Sequence, residues 1–265
     1  VGGVSPDGAF PSVSGTPWPG ISYFCSTREG GVSEGPWSSM NVGLHTGDRL
    51  SHVQANRHVL RRFLPGEPVW LNQVHGCEVL DADQSLMDLS PGSPSVVPTA
   101  DASITMQRGR VLAIMTADCL PVVLASTDGR ALGVAHAGWR GLAAGILEQT
   151  LAALHQRHQS AASWRAWIGP AIGPRHFEVG ADVYAAFVDH DDQARRFFAK
   201  AVSGEKWLAD LPSLARHRLE RAGVDSIELS GHCTYSRPDL FYSYRRETET
   251  GRLVTLAWLD AQSSQ

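Results

Sequence analysis

Residues 111–141 read VLAIMTADCLPVVLASTDGRALGVAHAGWRG, and the way this stretch folds decides how the rest is arranged. Two apolar runs flank Asp128-Gly129, a strong short-range signal for a tight hairpin turn. With a two-residue turn, Thr127 faces Arg130 and Pro121 falls opposite His136. Side chains alternate faces along a strand, so Cys119 shares the face of position 121. Cys119 then sits diagonally from His136, with backbones about 7–8 Å apart. At that separation a thiol and an imidazole can grip one metal ion. Asp118 and Cys119 close the first run, and His136 closes the second.

Downstream, Trp139–His155 carries a helical stripe of Leu142, Ile146, Leu151 and Leu154. Its opening, His136–Gly141, sets a strand end against a helix start, where free backbone N–H groups favour an anion. Strands are read at Trp164–Ile168 and Ser226–Leu229, with Phe177–Val179 emerging from a Gly-Pro loop between them, and helices at Ala181–Val188 and Leu211–Ala222, the second capped by Asp210. Leu240–Arg246 and Leu253–Leu259 read as a closing hairpin.

Upstream, residues 1–20 are Gly-, Pro- and Ser-rich and read as a loose arm, with room for some of it to order against the body, before a single catalytic domain over 21–262. Ile21–Cys25 is a strand, Val53–Phe63 a helix ended by Pro65, and Thr99–Met106 a strand that begins near Asp101. Residues 81–98 read as a surface loop. Strands cluster before His136 and alternate with helices after it, which predicts an α+β fold with mixed or antiparallel sheets covered by helices.

The 265 residues are 43% hydrophobic and 19% charged, ordinary globular material. A net charge of -4 offers no broad basic field for nucleic acid. No run of about 18 apolar residues is present to span a membrane. The 4 cysteines (Cys25, Cys77, Cys119, Cys233) form no CxxC pair and read as free thiols or ligands. A cytoplasmic monomer is the simplest reading.

His75, in Asn72-Gln73-Val74-His75-Gly76, joins Cys119 and His136 as a candidate ligand. Two imidazoles and a thiolate leave one tetrahedral position open, as catalytic zinc requires. Taken singly, a strand-end Cys also serves as a small hydrophobe and a lone His as a hydrogen-bonding neighbour. The Gly- or Asp-flanked loop at a strand end in which each member sits supports ligation, and both readings stay open at this point. Asp118 is a candidate to orient a ligand histidine, or a strand-end cap. Arg28, Asn41 and His45, in a Gly- and Ser-rich loop, are candidates to bind an anionic or polyhydroxyl substrate, or to brace that loop. Of the adjacent Arg245 and Arg246, alternation turns one inward, and Arg245 is the one expected at the site.

Ser26-Thr27-Arg28, Gly30-Gly31-Val32-Ser33, Asn41 and Gly47-Asp48 resemble the opening of the bacterial laccase-domain family. Asn72–Gly76, Thr116–Pro121 and Ala135–Gly141 are similar to its three most specific segments, and Ile168–Gly173, Cys233-Thr234 and Phe241–Arg246 continue the match in order. That family was first named for polyphenol oxidation and later for purine nucleoside phosphorylase or peptidoglycan editing. The resemblance implies a single domain of β-sheets sandwiched between helices and a zinc site at His75, Cys119 and His136. It also implies phosphorolysis of adenosine, inosine, guanosine and methylthioadenosine, with hydrolytic deamination of adenosine. Nucleoside and phosphate are then the partners. Relatives often carry a Cys where this chain has Ser236, which weakens a second-metal or copper role. Competing readings are an amidase removing misplaced L-Ser from a muramyl-nucleotide precursor, a Cu2+-dependent phenol oxidase, a metal-free Cys119–His136 hydrolase, and a non-catalytic ligand sensor.

Overall fold

The computed structural model describes residues 10–85, 97–202 and 204–261. The chain opens with β1 (Ser12–Val13), β2 (Ile21–Ser26), α1 (Leu50–Arg61), β3 (Pro68–Val69), β4 (Val79–Asp81), α2 (Ala82–Ser85) and β5 (Ala102–Thr105). Its middle is β6 (Val111–Thr116), β7 (Leu120–Ser126), β8 (Leu132–Ala137), α3 (Trp139–Ala144) and α4 (Ile146–Arg157). It ends with β9 (Trp164–Ile168), β10 (Glu178–Val179), α5 (Ala181–Val188), β11 (Phe198–Lys200), β12 (Trp207–Ala209), α6 (Leu211–Arg221), β13 (Ser226–Leu229) and β14 (Leu253–Leu259).

β7 and β8 pair antiparallel with Pro121 opposite His136, the register that the Asp128-Gly129 turn implies. The turn itself is wider than two residues. Strand pairing stops at Ala125 and Leu132, the Ser126 N–H donates to the Ala131 carbonyl, and Gly129 turns the chain at a φ of 70°.

β6 does not join this hairpin. It lies in a five-stranded sheet ordered β1-β2-β14-β6-β3, whereas β7 and β8 lie in a six-stranded sheet ordered β13-β9-β7-β8-β5-β4. Residues 117–119 therefore carry the chain from one sheet to the other. The sheets pack face to face through Tyr23, Leu112 and Ile114 on one side and Val123, Val134 and Trp167 on the other. Leu120, Val122 and Leu124 alternate with Val123 and Ala125, and point outward against residues of α4 and α6. On the opposite flank Val111, Ala113 and Met115 meet Leu60 of α1. The result is a helix–sheet–sheet–helix stack with mostly antiparallel pairing among the described strands and parallel pairing at β3–β6, β4–β5 and β9–β13. A strand covered on both faces needs apolar residues throughout, which is why β7 shows no polar alternation.

Four expectations are corrected or refined. The helix read over Trp139–His155 is two helices, broken where Gly145 adopts a left-handed φ of 100° and its N–H closes on the Leu142 carbonyl. Leu240–Arg246 is not a strand. β2 and β6 occupy both edges of β14, and Arg246 draws the segment into turns by donating to the Thr234, Tyr235 and Phe241 carbonyls. Of the arm over 1–20, residues 10–20 are ordered against the body, with Phe10 and Trp18 buried and β1 paired with β2, while residues 1–9 lie outside the described residues. In the expected loop over 81–98, α2 forms first and 86–96 lie outside the described residues. A small sheet of β10, β12 and β11 carries no clear sequence signal. No helix among the described residues is long and apolar enough to cross a membrane.

Candidate metal centre

Three chain segments meet where the sheets part. Cys119 lies on the crossover just before β7, His136 near the end of β8, and His75 in the loop after β3. Their ligand atoms all lie within 4.8 Å of one another. Cys119 Sγ is 3.8 Å from His75 Nε2, and the two imidazole rings stand edge to face with centroids 4.7 Å apart.

A buried carboxylate sets this geometry. Asp101 Oδ1 bonds His136 Nδ1 at 2.8 Å, which leaves the opposite ring nitrogen for an ion. The same carboxylate accepts the backbone N–H groups of Val74 at 3.1 Å, His75 at 2.9 Å and Gly76 at 2.7 Å. His75 has a left-handed φ of 60°, a conformation costing a side-chain-bearing residue on the order of 1–3 kcal/mol. Bonds to three successive N–H groups offset that strain and aim His75 at Cys119. Burial alone would raise the Asp101 carboxyl, but the bond from His136 and those from Gly76 and Val74 hold it below the usual carboxylate range.

The β8–α3 junction closes the centre from above. A Cβ at Gly138 would lie 2.8 Å from His75 Cδ2 and 3.0 Å from Cys119 Sγ, so only glycine fits. A Cβ at Gly141 would meet the Gly76 carbonyl at 2.8 Å. The start of α3 is thus packed against the His75 loop. Burial pushes the Cys119 thiol up, yet the His136 charge and bonds from His136 and His75 bring it to about 6. Burial lowers His136 in turn, but the Cys119 charge and the Asp101 bond raise it to about 9. The pair therefore favours a thiolate, the form that ligates metal.

The cluster opens into a cavity of about 600 Å³, lined also by His45, Gln73, Thr116, Tyr244 and Arg252. The donor set fits zinc: bonds of about 2.0–2.3 Å put ligand atoms on a common ion some 3.5 Å apart, near the Cys119–His75 separation.

Of the expected binding residues, His45 lines this cavity and three do not. Arg28 donates to the Ser38 and Pro238 carbonyls and lies over the Tyr242 ring. Asn41 is fully buried, donating to Thr46 and Asp48 and accepting from the Gly43 and Arg252 backbones. Arg245 donates to the His176 and Glu178 carbonyls. These groups brace loops. Asp118 also differs from expectation: its carboxylate binds the Thr234 hydroxyl at 2.6 Å and the Arg245 N–H at 2.7 Å, not a ligand histidine.

Asp101, Arg252 and Tyr244 are the residues that sequence reading missed. An acid at the start of a strand was the available signal for Asp101. Arg252 and Tyr244 give none, because no local pattern in the sequence brings the segments before and after Arg246 to the cavity. Gln73 is consumed structurally, exchanging bonds with both backbone groups of Met115.

A family model described as multi-copper polyphenol oxidoreductase laccase matches residues 22–260. The purine nucleoside phosphorylase YfiH of Escherichia coli is 44% identical over 247 residues, covering 91% of this chain and 96% of that protein. A purine nucleoside phosphorylase of Xylella fastidiosa is 46% identical over 267 residues, covering 95% of this chain and 99% of the relative. The crystal structure of a Neisseria meningitidis protein matches with a TM-score of 0.85 and 39% identity, covering 95% of this chain and 99% of its own. That of YlmD from Geobacillus stearothermophilus matches at 0.81 and 31%, covering 93% and 94%. The order of motifs, the stacked sheets and the matched length agree: the chain belongs to the multi-copper polyphenol oxidoreductase laccase family.

Proposed function

We propose that this chain is a zinc-dependent purine nucleoside enzyme, phosphorolysing adenosine, inosine, guanosine and methylthioadenosine and deaminating adenosine. The observation that carries the reading is the convergence of His75, Cys119 and His136 on the wall of a cavity of about 600 Å³. That volume lies in the range of sites for small molecules. The names of the relatives support nucleosides as the substrate class.

His75, Cys119 and His136 would hold the ion, which supplies a Lewis acid able to activate water at neutral pH. Asp101 keeps His136 in one tautomer and His75 in its strained turn. Tyr244, 53% exposed at the cavity, offers a flat face for a purine. His45 is held below its usual range by burial and by the charges of Arg252 and Arg57, so it serves as a neutral hydrogen-bonding group.

The reading takes zinc over copper. Among the described residues the three ligands form the one such cluster, whereas multicopper chemistry needs several ions. Cu2+ would still compete on intrinsic affinity. Zinc-replete protein incubated with adenosine and inorganic phosphate, followed by chromatography of the bases and nucleosides, tests the proposal. Adenine and inosine are the expected products; release of neither overturns it.

A further inference from the structure

Arg252 differs from the other arginines near the centre. Arg28 and Arg245 point at backbone carbonyls outside the cavity, and Arg246 commits all three guanidinium nitrogens to protein acceptors. Arg252 lines the cavity beside Cys119 and His136. Its Nη1 donates to the Thr250 carbonyl at 3.2 Å and the Gly251 carbonyl at 3.0 Å. Among the described residues, Nε and Nη2 donate to no protein group, and no carboxylate forms an ion pair with this side chain. A second cation, Arg57, stacks on Trp70 at 3.8 Å, and both charges bear on His45.

The side chain is also seated in advance. Asn41 Oδ1 accepts the Arg252 N–H at 2.9 Å and the Gly43 N–H at 3.0 Å, tying the two backbones together. A Cβ at Gly43 would lie 2.8 Å from Arg252 Cγ, so the missing side chain there makes the bed in which Arg252 lies. A half-buried guanidinium that lines the cavity with two donors no protein group takes is placed to bind an anion, and its planar fork matches two oxygens of a phosphate.

We infer that Arg252 is the anion-binding residue of the cavity and takes inorganic phosphate next to His75, Cys119 and His136, an inference that rests on the phosphorolysis proposed above. Two phosphate oxygens engage Nε and Nη2, and a further oxygen is left to react. That oxygen forms a bond to C1′ of the nucleoside as the C1′–N bond breaks. The bonding pair leaves with the purine, which takes up the proton of hydrogen phosphate, giving ribose 1-phosphate and free base.

The experiment measures both reactions of zinc-loaded parent, Arg252→Gln and Arg252→Lys proteins, alongside calorimetric titration with inorganic phosphate alone. Loss of a charge-assisted pair predicts a rise of about 10- to 100-fold in the KM for phosphate of Arg252→Gln. The ratio of phosphorolysis to deamination falls with it, and Arg252→Lys recovers part of the loss by restoring charge without the fork. If Arg252→Gln does not fold, the KM for phosphate of Arg252→Lys decides, and a parental value overturns the inference. Parallel loss of both reactions, or phosphate binding unaltered in the variants, also overturns it. Arg252-dependent phosphate binding in a parent that turns over no nucleoside would leave the subsite standing and remove the nucleoside reading.

Discussion

The β7–β8 hairpin has two ends built on opposite plans. At the turn, Asp128 gathers groups that are close in sequence: its Oδ1 accepts from Ser126 Oγ at 2.6 Å and the Arg130 N–H at 3.2 Å. At the other end Asp101 gathers groups 25 to 35 residues away. The turn fixes which residues face one another and contributes nothing to the site. The far end inherits that register and turns it into chemistry, because β7 leaves for the other sheet just where β8 runs into a helix. Local bonds thus specify a geometry that distant bonds exploit, and the two kinds should fail differently.

The sharpest break in this contrast is Asp101→Ala. It strips the partner from His136 Nδ1 and from three backbone N–H groups at once. Zinc affinity should fall by about 10- to 100-fold, as for other lost partners of metal ligands. Stability should fall by about 3–5 kcal/mol, the usual cost of orphaning a buried charged partner. A competitive chelator titration and urea unfolding measure the two. Parental zinc affinity in a folded variant would show that the ligands hold their places without Asp101.

Gly138→Ala tests the same end by crowding instead of deletion. The new methyl would press on His75 and Cys119 at 2.8 and 3.0 Å, and overpacking of this kind costs about 1–3 kcal/mol. Zinc stoichiometry at fixed free zinc should drop, and alkylation of Cys119 in the presence of zinc should rise from a protected baseline. Full protection would mean that the β8–α3 junction shifts to make room.

These two residues also show how far the sequence could be read. The hairpin register, β9, α6 and β13 were legible because each is encoded within a few residues: a turn dipeptide, an apolar run, a cap. The approach of Cys119 to His136 followed from that register. What escaped was whatever depends on a partner far along the chain. Asp118 looked like the carboxylate of the site because it adjoins Cys119, but its φ of 92° turns it toward Thr234 and Arg245. Arg252 was hidden because no local pattern in the sequence brings the segment after Arg246 to the cavity.

Asp118→Asn separates scaffold from centre. Asparagine tolerates the left-handed conformation, so the backbone is kept while the charge received by the Thr234 hydroxyl and Arg245 N–H is removed. Hydrogen bonds to a charged acceptor contribute about 1.5–3 kcal/mol, part of which the amide oxygen retains. A loss of about 1 kcal/mol with unchanged zinc affinity is the expected outcome in the same two assays. Weakened zinc binding would move Asp118 back into the metal centre.

The smallest effect belongs to the turn. Burial would raise the Asp128 carboxyl, but bonds from Ser126 and His158 and from the Arg130 N–H hold it below the ordinary carboxylate value. A group depressed in the folded state contributes stability above its unfolded value of about 3.9, and that contribution is lost as pH falls through the lower folded value. Asp128→Asn should therefore match the parent in strong acid and fall behind it as pH rises through about 4, with the gap level at neutrality. The Asp128 side chain is 41% exposed, so solvent screens the interaction and the gap stays small. Thermal unfolding across that range follows it, with zinc affinity measured beside it. Because the strands are buried on both faces between turn and site, a one-residue slip would expose an apolar face, and the register should hold without the carboxylate. Zinc affinity should then be untouched. A variant in which it falls would show that the turn, through the register, still governs the far end.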